Sequence, residues 1–134
     1  MRLAPLIALA VALALAGCGA ATTDSVDQFT GPERDVAEAV EDLQEAGQRR
    51  DAERICTEIL ARSLVTQLDA GAQSCGGEID KAVDDADEFD LKVVDVTIAG
   101  AEARAVVERG DAKERSTFTF AREGGRWKAT GFGL

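Results

Sequence analysis

Apolar residues recur at helical spacing in the first half of the chain, beginning shortly after Thr30. Pro32 near the first turn, and Glu33 three residues after Thr30 as in a capping box, predict where a first helix begins. Its apolar face is formed by Val36, Val40 and Leu43. Gly47 indicates its end, because glycine is common just past the last helical turn.

Two further helices are predicted between residues 51 and 89. Asp51 is a suitable N-cap for the second helix, which presents one continuous apolar face. That face consists of Ile55, Cys56, Ile59, Leu60, Leu64 and Leu68. A glycine-rich loop that contains Cys75 separates it from the third helix. The third helix is predicted to end near Phe89, and its apolar face consists of Ile79, Ala82, Val83 and Ala86.

From Leu91 onward the apolar period changes to two, which is typical of strands that bury one face. The four predicted strands bury, in chain order, Val94, Val96 and Ile98; Ala103, Ala105 and Val107; Phe118 and Phe120; and Trp127 with Ala129 and Gly131. Short turns join the strands, and Gly124-Gly125 is typical of a tight two-residue hairpin. The pattern therefore predicts an α+β domain in which three N-terminal helices pack on a four-stranded antiparallel sheet.

The first 17 residues have the organisation of a secretory signal peptide. Arg2 precedes an uncharged run over residues 3–16, which is shorter than the roughly 20 residues that span a bilayer. The segment Leu15-Ala16-Gly17-Cys18 resembles the bacterial lipobox. That resemblance implies cleavage before Cys18, acylation of its sulfur, and anchoring in the lipid bilayer at the extracytoplasmic face of the cell membrane. The alternative is an ordinary cleaved signal peptide with no special use for Cys18.

A flexible tether is predicted over residues 18–31, because Gly19–Thr30 is small, polar and without helical or strand periodicity. The chain therefore divides into a signal peptide (1–17), a lipidated cysteine with its tether (18–31) and one domain (32–134). Acyl chains on Cys18 would supply the membrane attachment, so the domain needs no affinity of its own for lipid headgroups.

The two remaining cysteines, Cys56 and Cys75, make an even pair in a chain predicted to be exported, which favours a disulfide bond. A pair of buried free thiols is the alternative. A metal site is less favoured, because the chain contains no histidine and no further cysteine to complete a ligand set.

Charge and composition exclude several classes of function. The chain has 25 acidic and 15 basic side chains and a formal net charge of −10, so nucleic acid is not expected as a partner. The acid excess lies in the helical half, since residues 33–90 carry 17 acidic and 6 basic side chains. Without histidine no conventional Ser-His-Asp triad can form. The sequence has no glycine-rich phosphate loop of known spacing, and no cofactor is expected.

The densest acidic run is a candidate calcium site, because that ion prefers several carboxylates. Its members are Asp80, Asp84, Asp85, Asp87, Glu88 and Asp90. Their spacing does not match the D-x-D-x-D-G pattern of a calcium loop. A solvated helix face is the favoured interpretation, and no metal is expected.

The order of the predicted elements and the last hairpin resemble the nuclear transport factor 2-like superfamily, in particular small exported lipoproteins of high-GC Gram-positive bacteria. The resemblance covers residues 33–134 and depends most on Arg122-Glu123-Gly124-Gly125-Arg126-Trp127-Lys128, where an aromatic residue opens the last strand after a tight turn. It implies a curved sheet that wraps against the helices as a cone, with an apolar ligand pocket at the mouth. Isomerases of this superfamily use a carboxylate base and usually a tyrosine, which this chain lacks.

The favoured function is a non-catalytic binding or interaction module, with a small apolar ligand or an envelope protein as partner. A small enzyme of the polyketide cyclase or ketosteroid isomerase type and a structural subunit of an envelope complex are the alternatives. No catalytic residue is singled out. If the Gly124-Gly125 turn sets the strand register, the inside of the cone is lined by Val94, Val96, Ile98, Phe118, Phe120 and Trp127.

Overall fold

The computed structural model describes residues 25–86 and 89–133. The predicted signal peptide, Cys18 and the first part of the predicted tether lie outside these residues. The described chain is an α+β domain, as the hydrophobic pattern predicted. Its helices are a 3-10 helix (Ser25–Gln28), α1 (Gly31–Gln48), α2 (Ala52–Arg54) continued by a π-helical turn (Ile55–Ile59), α3 (Arg62–Asp69) and α4 (Cys75–Asp85). Its strands are β1 (Leu91–Ala99), β2 (Glu102–Arg109), β3 (Glu114–Glu123) and β4 (Arg126–Phe132).

The folded domain begins earlier than the predicted boundary at residue 32. Ser25–Gln28 forms a 3-10 helix where the end of a flexible tether was predicted. Val26 is buried in the core, and Phe29 packs against the same cluster. Gln28 Nε2 donates a 2.8 Å hydrogen bond to Val93 O on the edge strand β1. Two apolar residues three positions apart are enough to fix one turn, but they are too few to give a periodic signal in the sequence.

Helix α1 confirms the first predicted helix and ends one residue beyond Gly47. Its buried residues are Val36, Ala37, Val40, Leu43, Ala46 and Gly47. The predicted capping box does not form, since the Thr30 side chain makes no cap hydrogen bond. At the other end Arg50 adopts a left-handed conformation with φ of 56°, and its N–H donates a 3.0 Å hydrogen bond to Gly47 O. This turn redirects the chain into α2.

The prediction of one continuous second helix is wrong. Asp51 does cap α2, and its side chain accepts a 3.0 Å hydrogen bond from Arg54 N. After the π-helical turn, however, Leu60 is extended and the helix stops. Ala61 N donates a 2.8 Å hydrogen bond to Ala129 O, so the chain pairs briefly with the edge strand β4 before α3 begins. Such pairing satisfies backbone groups at the sheet edge, and apolar spacing alone does not reveal it.

A cysteine pair joins the π-helical turn to the first residue of α4. Cys56 and Cys75 form a disulfide with 6.2 Å between their Cα atoms. Cys75 is buried, whereas Cys56 is half-buried, because Ile55 and Ile59 occupy the inward positions of the turn. Helix α4 ends at Asp85, before the predicted end near Phe89.

The four strands form one antiparallel sheet in which each strand pairs with its neighbour along the chain. Gly124 and Gly125 both have positive φ values, of 58° and 79°, which confirms the tight hairpin between β3 and β4. One inward position of β1 differs from the prediction. A β-bulge between Val93 and Asp95 shifts the register, so Val93 is a core residue at 1% exposure and Val94 is only half-buried.

Arg54 links two acidic helical segments. Its guanidinium lies 3.4 Å from Asp42 and 3.5 Å from Glu45 of α1, and 3.4 Å from Glu58 in the π-helical turn. Partial desolvation lowers the pKa of Arg54, but the hydrogen bond to Glu45 and the charges of Asp42 and Glu45 raise it above its ordinary value. Arg54 therefore stays charged and holds α2 against α1 despite the acid excess of this region.

Candidate functional site

An apolar cavity of about 540 Å³ lies between α4 and one end of the sheet, where β1 begins and β4 ends. Its size falls within the range of about 300–1,000 Å³ that is usual for small-molecule sites. Its lining residues are Leu43, Ile55, Ile79, Ala82, Val83, Ala86, Phe89, Leu91, Arg109, Phe118, Phe132 and Gly133. Arg109 is the one ionisable side chain among these described residues. The cavity therefore combines an apolar interior with a single cation.

Small side chains on the helix wall leave this space open. Ala82 of α4 and Ala86, the residue that follows α4, line the cavity together with two aromatic rings. The rings of Phe118 and Phe132 meet edge to face, with 5.1 Å between centroids and an interplanar angle of 81°. Phe118 is buried at 4% exposure, whereas Phe132 is half-buried and reaches the open side.

Helix α1 fixes the position of a third aromatic residue, Phe89. The Phe89 ring lies so close to Gly47 that a Cβ atom at position 47 would overlap it. Gln48 Nε2 donates a 3.0 Å hydrogen bond to Phe89 O, and Gln44 Oε1 accepts a 2.6 Å hydrogen bond from Leu91 N. These contacts hold this wall of the cavity against the C-terminal half of α1.

Arg109 stands at the rim of the cavity, at the end of β2. It follows Ala103, Ala105 and Val107 on the inward face of that strand, opposite Leu91 in β1 and Glu114 in β3. Its Nε atom is buried and has no hydrogen-bond partner among the described residues. The Arg109 side chain as a whole is 41% exposed, so the protein does not fully enclose its guanidinium group.

Of the six predicted pocket residues, Phe118 is the one that lines this cavity. Val96, Phe120 and Trp127 are packed in the core at 7%, 2% and 7% exposure. Ile98 packs against that core from a half-buried position, and Val94 belongs to the bulge. The predicted strand face is therefore largely core, and the open space lies farther along the sheet.

Trp127 lies at the opposite end of the sheet, beside the hairpin. It lines a groove of about 280 Å³ whose other wall is the acidic face of α1, including Asp35, Glu38 and Asp42. Its Nε1 atom is buried and has no hydrogen-bond partner within the described part of the chain. The guanidinium carbon of Arg122 lies 5.4 Å from the centre of the indole ring. This groove is small and lined by carboxylates, so it does not suit an apolar molecule.

A polar cleft of about 550 Å³ lies between the 3-10 helix and α1. Its lining residues are Val26, Asp27, Arg34, Glu38, Glu41, Asp42, Gln44, Glu45 and Gln48. Carboxylates dominate the lining, and Arg34 already lies 3.1 Å from Glu38 and 3.8 Å from Asp27. This cleft is a charged surface feature, and it lacks an apolar interior.

The acidic run at the end of α4 is only partly described. Asp84 pairs with Arg50, and Asp85 pairs with Lys81, whose pKa is raised chiefly by its hydrogen bond to Asp85. Asp87 and Glu88 lie outside the described residues. Within residues 25–86 and 89–133, no group of side chains is arranged to hold a metal ion. In the same ranges, no helix is long and apolar enough to cross a membrane.

The hydrophobic pattern did not identify Arg109 as a site residue, although the sequence contains a signal for it. The alternation Ala103, Ala105, Val107 continues to Arg109, so a charged residue occupies an inward position at the end of an apolar strand face. An inward arginine at a strand end is a candidate ligand-binding residue.

A scan against protein-family models found no match, and searches of curated proteins and of solved structures found none either.

Proposed function

We propose that this protein is an exported, lipid-anchored binding protein that holds a small apolar molecule at the extracytoplasmic face of the cell membrane. The observation that carries the proposal is the apolar cavity of about 540 Å³ beneath α4. A space of this size between packed layers loses dispersion contacts when it is empty, so an apolar occupant would stabilise the domain.

The membrane anchor in this proposal is supported by the sequence, through the uncharged run and the Leu15-Ala16-Gly17-Cys18 motif. Six residues separate Cys18 from Ser25, the first residue of the 3-10 helix. Even fully extended, this stretch spans at most about 25 Å. The proposed anchor would therefore keep the start of the folded domain close to the bilayer surface, where apolar molecules are concentrated.

We also propose that the domain belongs to the nuclear transport factor 2-like superfamily and that its sheet curves around the helices as a cone. The α+β architecture, the four-stranded antiparallel sheet and a cavity between helix and sheet support this assignment. The Gly124-Gly125 hairpin followed by the buried Trp127 also supports it.

Binding is favoured over catalysis by the chemistry of the cavity. A cyclase or isomerase of the expected type needs a carboxylate base beside its substrate. The described lining of the cavity consists of apolar side chains, one glycine and Arg109, with no carboxylate among them. An accessory role in an envelope complex has no specific observation in its favour.

Substitution of Cys18 tests the anchor. In cells that export the protein, wild-type chain should incorporate a fatty-acid probe and remain with the membrane fraction. Cys18→Ser should carry no label, and it should be released from the membrane or stay unprocessed. The matched control is the double variant Cys56→Ser/Cys75→Ser, which should still be labelled. Absence of label on the wild-type chain would overturn the proposed lipidation.

Native mass spectrometry tests the binding function. Protein purified from the envelope of the cells that produce it should show a second population with an added mass of a few hundred daltons. This mass is that of a ligand small enough for the cavity volume. Val83→Phe places a ring in the cavity and should remove this population, while Leu64→Phe on the half-buried face of α3 should keep it. If wild type shows no added mass and binds no apolar probe, the proposed function is wrong.

A further inference from the structure

We infer that the ligand of this cavity is an amphiphile with a long apolar chain that ends in a carboxylate, and that Arg109 binds the carboxylate. The inference rests on the proposed binding function and specifies the chemistry of the ligand. Two features carry it: the apolar interior of the cavity and Arg109, the one ionisable side chain in its described lining.

The arginine is poorly satisfied by the protein itself. Among the described residues its ion-pair partner is Glu114, at 3.9 Å from one terminal nitrogen, and the Arg109 and Glu114 side chains are 41% and 73% exposed. An exposed pair at that distance contributes little, because water and salt screen it. The guanidinium therefore keeps most of its capacity to bind an anion.

The geometry of the guanidinium favours a carboxylate over a neutral acceptor. Its terminal nitrogens form a planar fork that matches the two oxygens of a carboxylate. The apolar lining of the cavity would partly shield an anion bound there from water, which strengthens the interaction. A neutral alcohol would offer one weaker acceptor and no charge.

The remainder of the cavity suits an acyl chain. Ile79 and Val83 of α4 form one side, and the edge-to-face pair Phe118 and Phe132 forms the other. The described lining offers no side-chain hydrogen-bond donor besides Arg109, so a ligand with several polar groups would lose hydration with little compensation. A single-headed amphiphile meets both requirements.

The test is a displacement titration with a fluorescent fatty acid, performed on the full-length Cys18→Ser chain so that no attached acyl group competes. Oleate and oleyl alcohol share the same chain and differ only in the head group. The Cys18→Ser chain, whose cavity is unchanged, should bind oleate about tenfold to hundredfold more tightly than oleyl alcohol. This is the range expected for a charge-assisted hydrogen bond.

Variants of Arg109 separate the head-group contact from chain binding. Arg109→Gln should abolish the preference for oleate while leaving oleyl alcohol affinity within about twofold, and Arg109→Lys should restore part of the preference. The control is Arg115→Gln, which removes the same charge from a 67% exposed side chain that pairs with Glu108 at 3.0 Å. It should bind both compounds like wild type.

The outcomes distinguish this inference from the proposed function. Equal affinity for oleate and oleyl alcohol, unchanged in Arg109→Gln, would overturn the carboxylate assignment and leave apolar binding standing. No binding of either compound by the wild-type cavity would overturn both. Loss of the preference in Arg115→Gln as well would also overturn the assignment, since it would mean that net charge and not Arg109 selects the head group.

Discussion

The two ends of the helix–sheet interface are built from similar residues and packed differently. At the hairpin end, defined by Phe120, Trp127 and Ala129, the aromatic rings are buried in the core, and Trp127 lies against α1. At the cavity end, defined by Arg109, Phe118 and Phe132, the rings face the small side chains of α4 and leave about 540 Å³ unfilled. The same sheet face therefore serves stability at one end and offers space for a ligand at the other.

The difference teaches that aromatic residues on a strand face do not by themselves mark a pocket. Trp127 is 7% exposed and lies beside α1. Phe132 is half-buried and lines the cavity together with the small residues Ala82 and Ala86. What the opposing helix presents decides whether a ring is core or cavity wall.

The largest expected effect comes from truncating the tryptophan at the hairpin end. Trp127→Ala should lower the free energy of unfolding by about 3–5 kcal/mol, because it removes a buried ring from a packed site. The matched variant at the cavity end, Phe132→Ala, should cost only about 1 kcal/mol, since its ring is half-buried. Urea unfolding followed by circular dichroism measures both. Equal losses would contradict the contrast between the two ends.

Removal of the disulfide should affect the cavity end more than the hairpin end. The double variant Cys56→Ser/Cys75→Ser should lose about 3 kcal/mol of stability, because the loop between these residues is no longer closed. It should also bind the fluorescent fatty acid more weakly, since the bond holds the start of α4 in place. Trp127 emission in the folded state should not change. If Trp127 emission shifted while the affinity for the fluorescent fatty acid stayed the same, the disulfide would matter more for the hairpin end than for the cavity end, contrary to this prediction.

Gly47→Ala should disturb the wall formed by Phe89. The added Cβ would overlap the Phe89 ring, so the ring must move, at a cost of about 1–3 kcal/mol in the free energy of unfolding. The affinity for oleate should change with it, because Phe89 lines the cavity. Gly131→Ala, whose Cβ would lie 3.0 Å from Thr119 Oγ1, is a control that leaves the lining intact. Unaltered stability and oleate affinity in Gly47→Ala would show that Phe89 does not occupy this position.

The smallest expected effect is at the surface of the hairpin end. Arg122→Ala removes a cation that lies 5.4 Å from the centre of the Trp127 ring, and it should cost about 0.5–1 kcal/mol in stability. Oleate affinity should be that of wild type, because Arg122 does not line the cavity. Isothermal titration calorimetry with oleate checks the second point. A weakened affinity would mean that the two ends are coupled.

The sequence predicted features that depend on local periodicity and missed those that depend on contacts between distant segments. The inward positions Ala105 and Phe120 and the Gly124-Gly125 turn follow from alternation and turn chemistry, which are local. The pairing of Ala61 with β4 and the bulge after Val93 depend on hydrogen bonds with neighbouring elements. No local pattern in the sequence therefore predicts them.

The candidate site was predicted less well than the fold. Phe118 was correctly placed on the inward face, but the cavity also needs the small residues of α4 and the ring of Phe89. Spacing within the sequence does not tell which helix covers which end of a sheet. Arg109 was visible in the alternation of β2, yet its place in the lining of the cavity is a property of the folded chain alone.

One nuclear magnetic resonance experiment tests most directly that the two ends differ in function. Two-dimensional 1H–15N spectra of the full-length Cys18→Ser chain are recorded during addition of oleate. The expected shifts lie at Ile79 and Val83 of α4 and at Arg109, while the single indole N–H resonance, from Trp127, stays in place. Movement of the indole resonance without shifts along α4, or no shifts at all, would contradict the assignment of the cavity end as the ligand site.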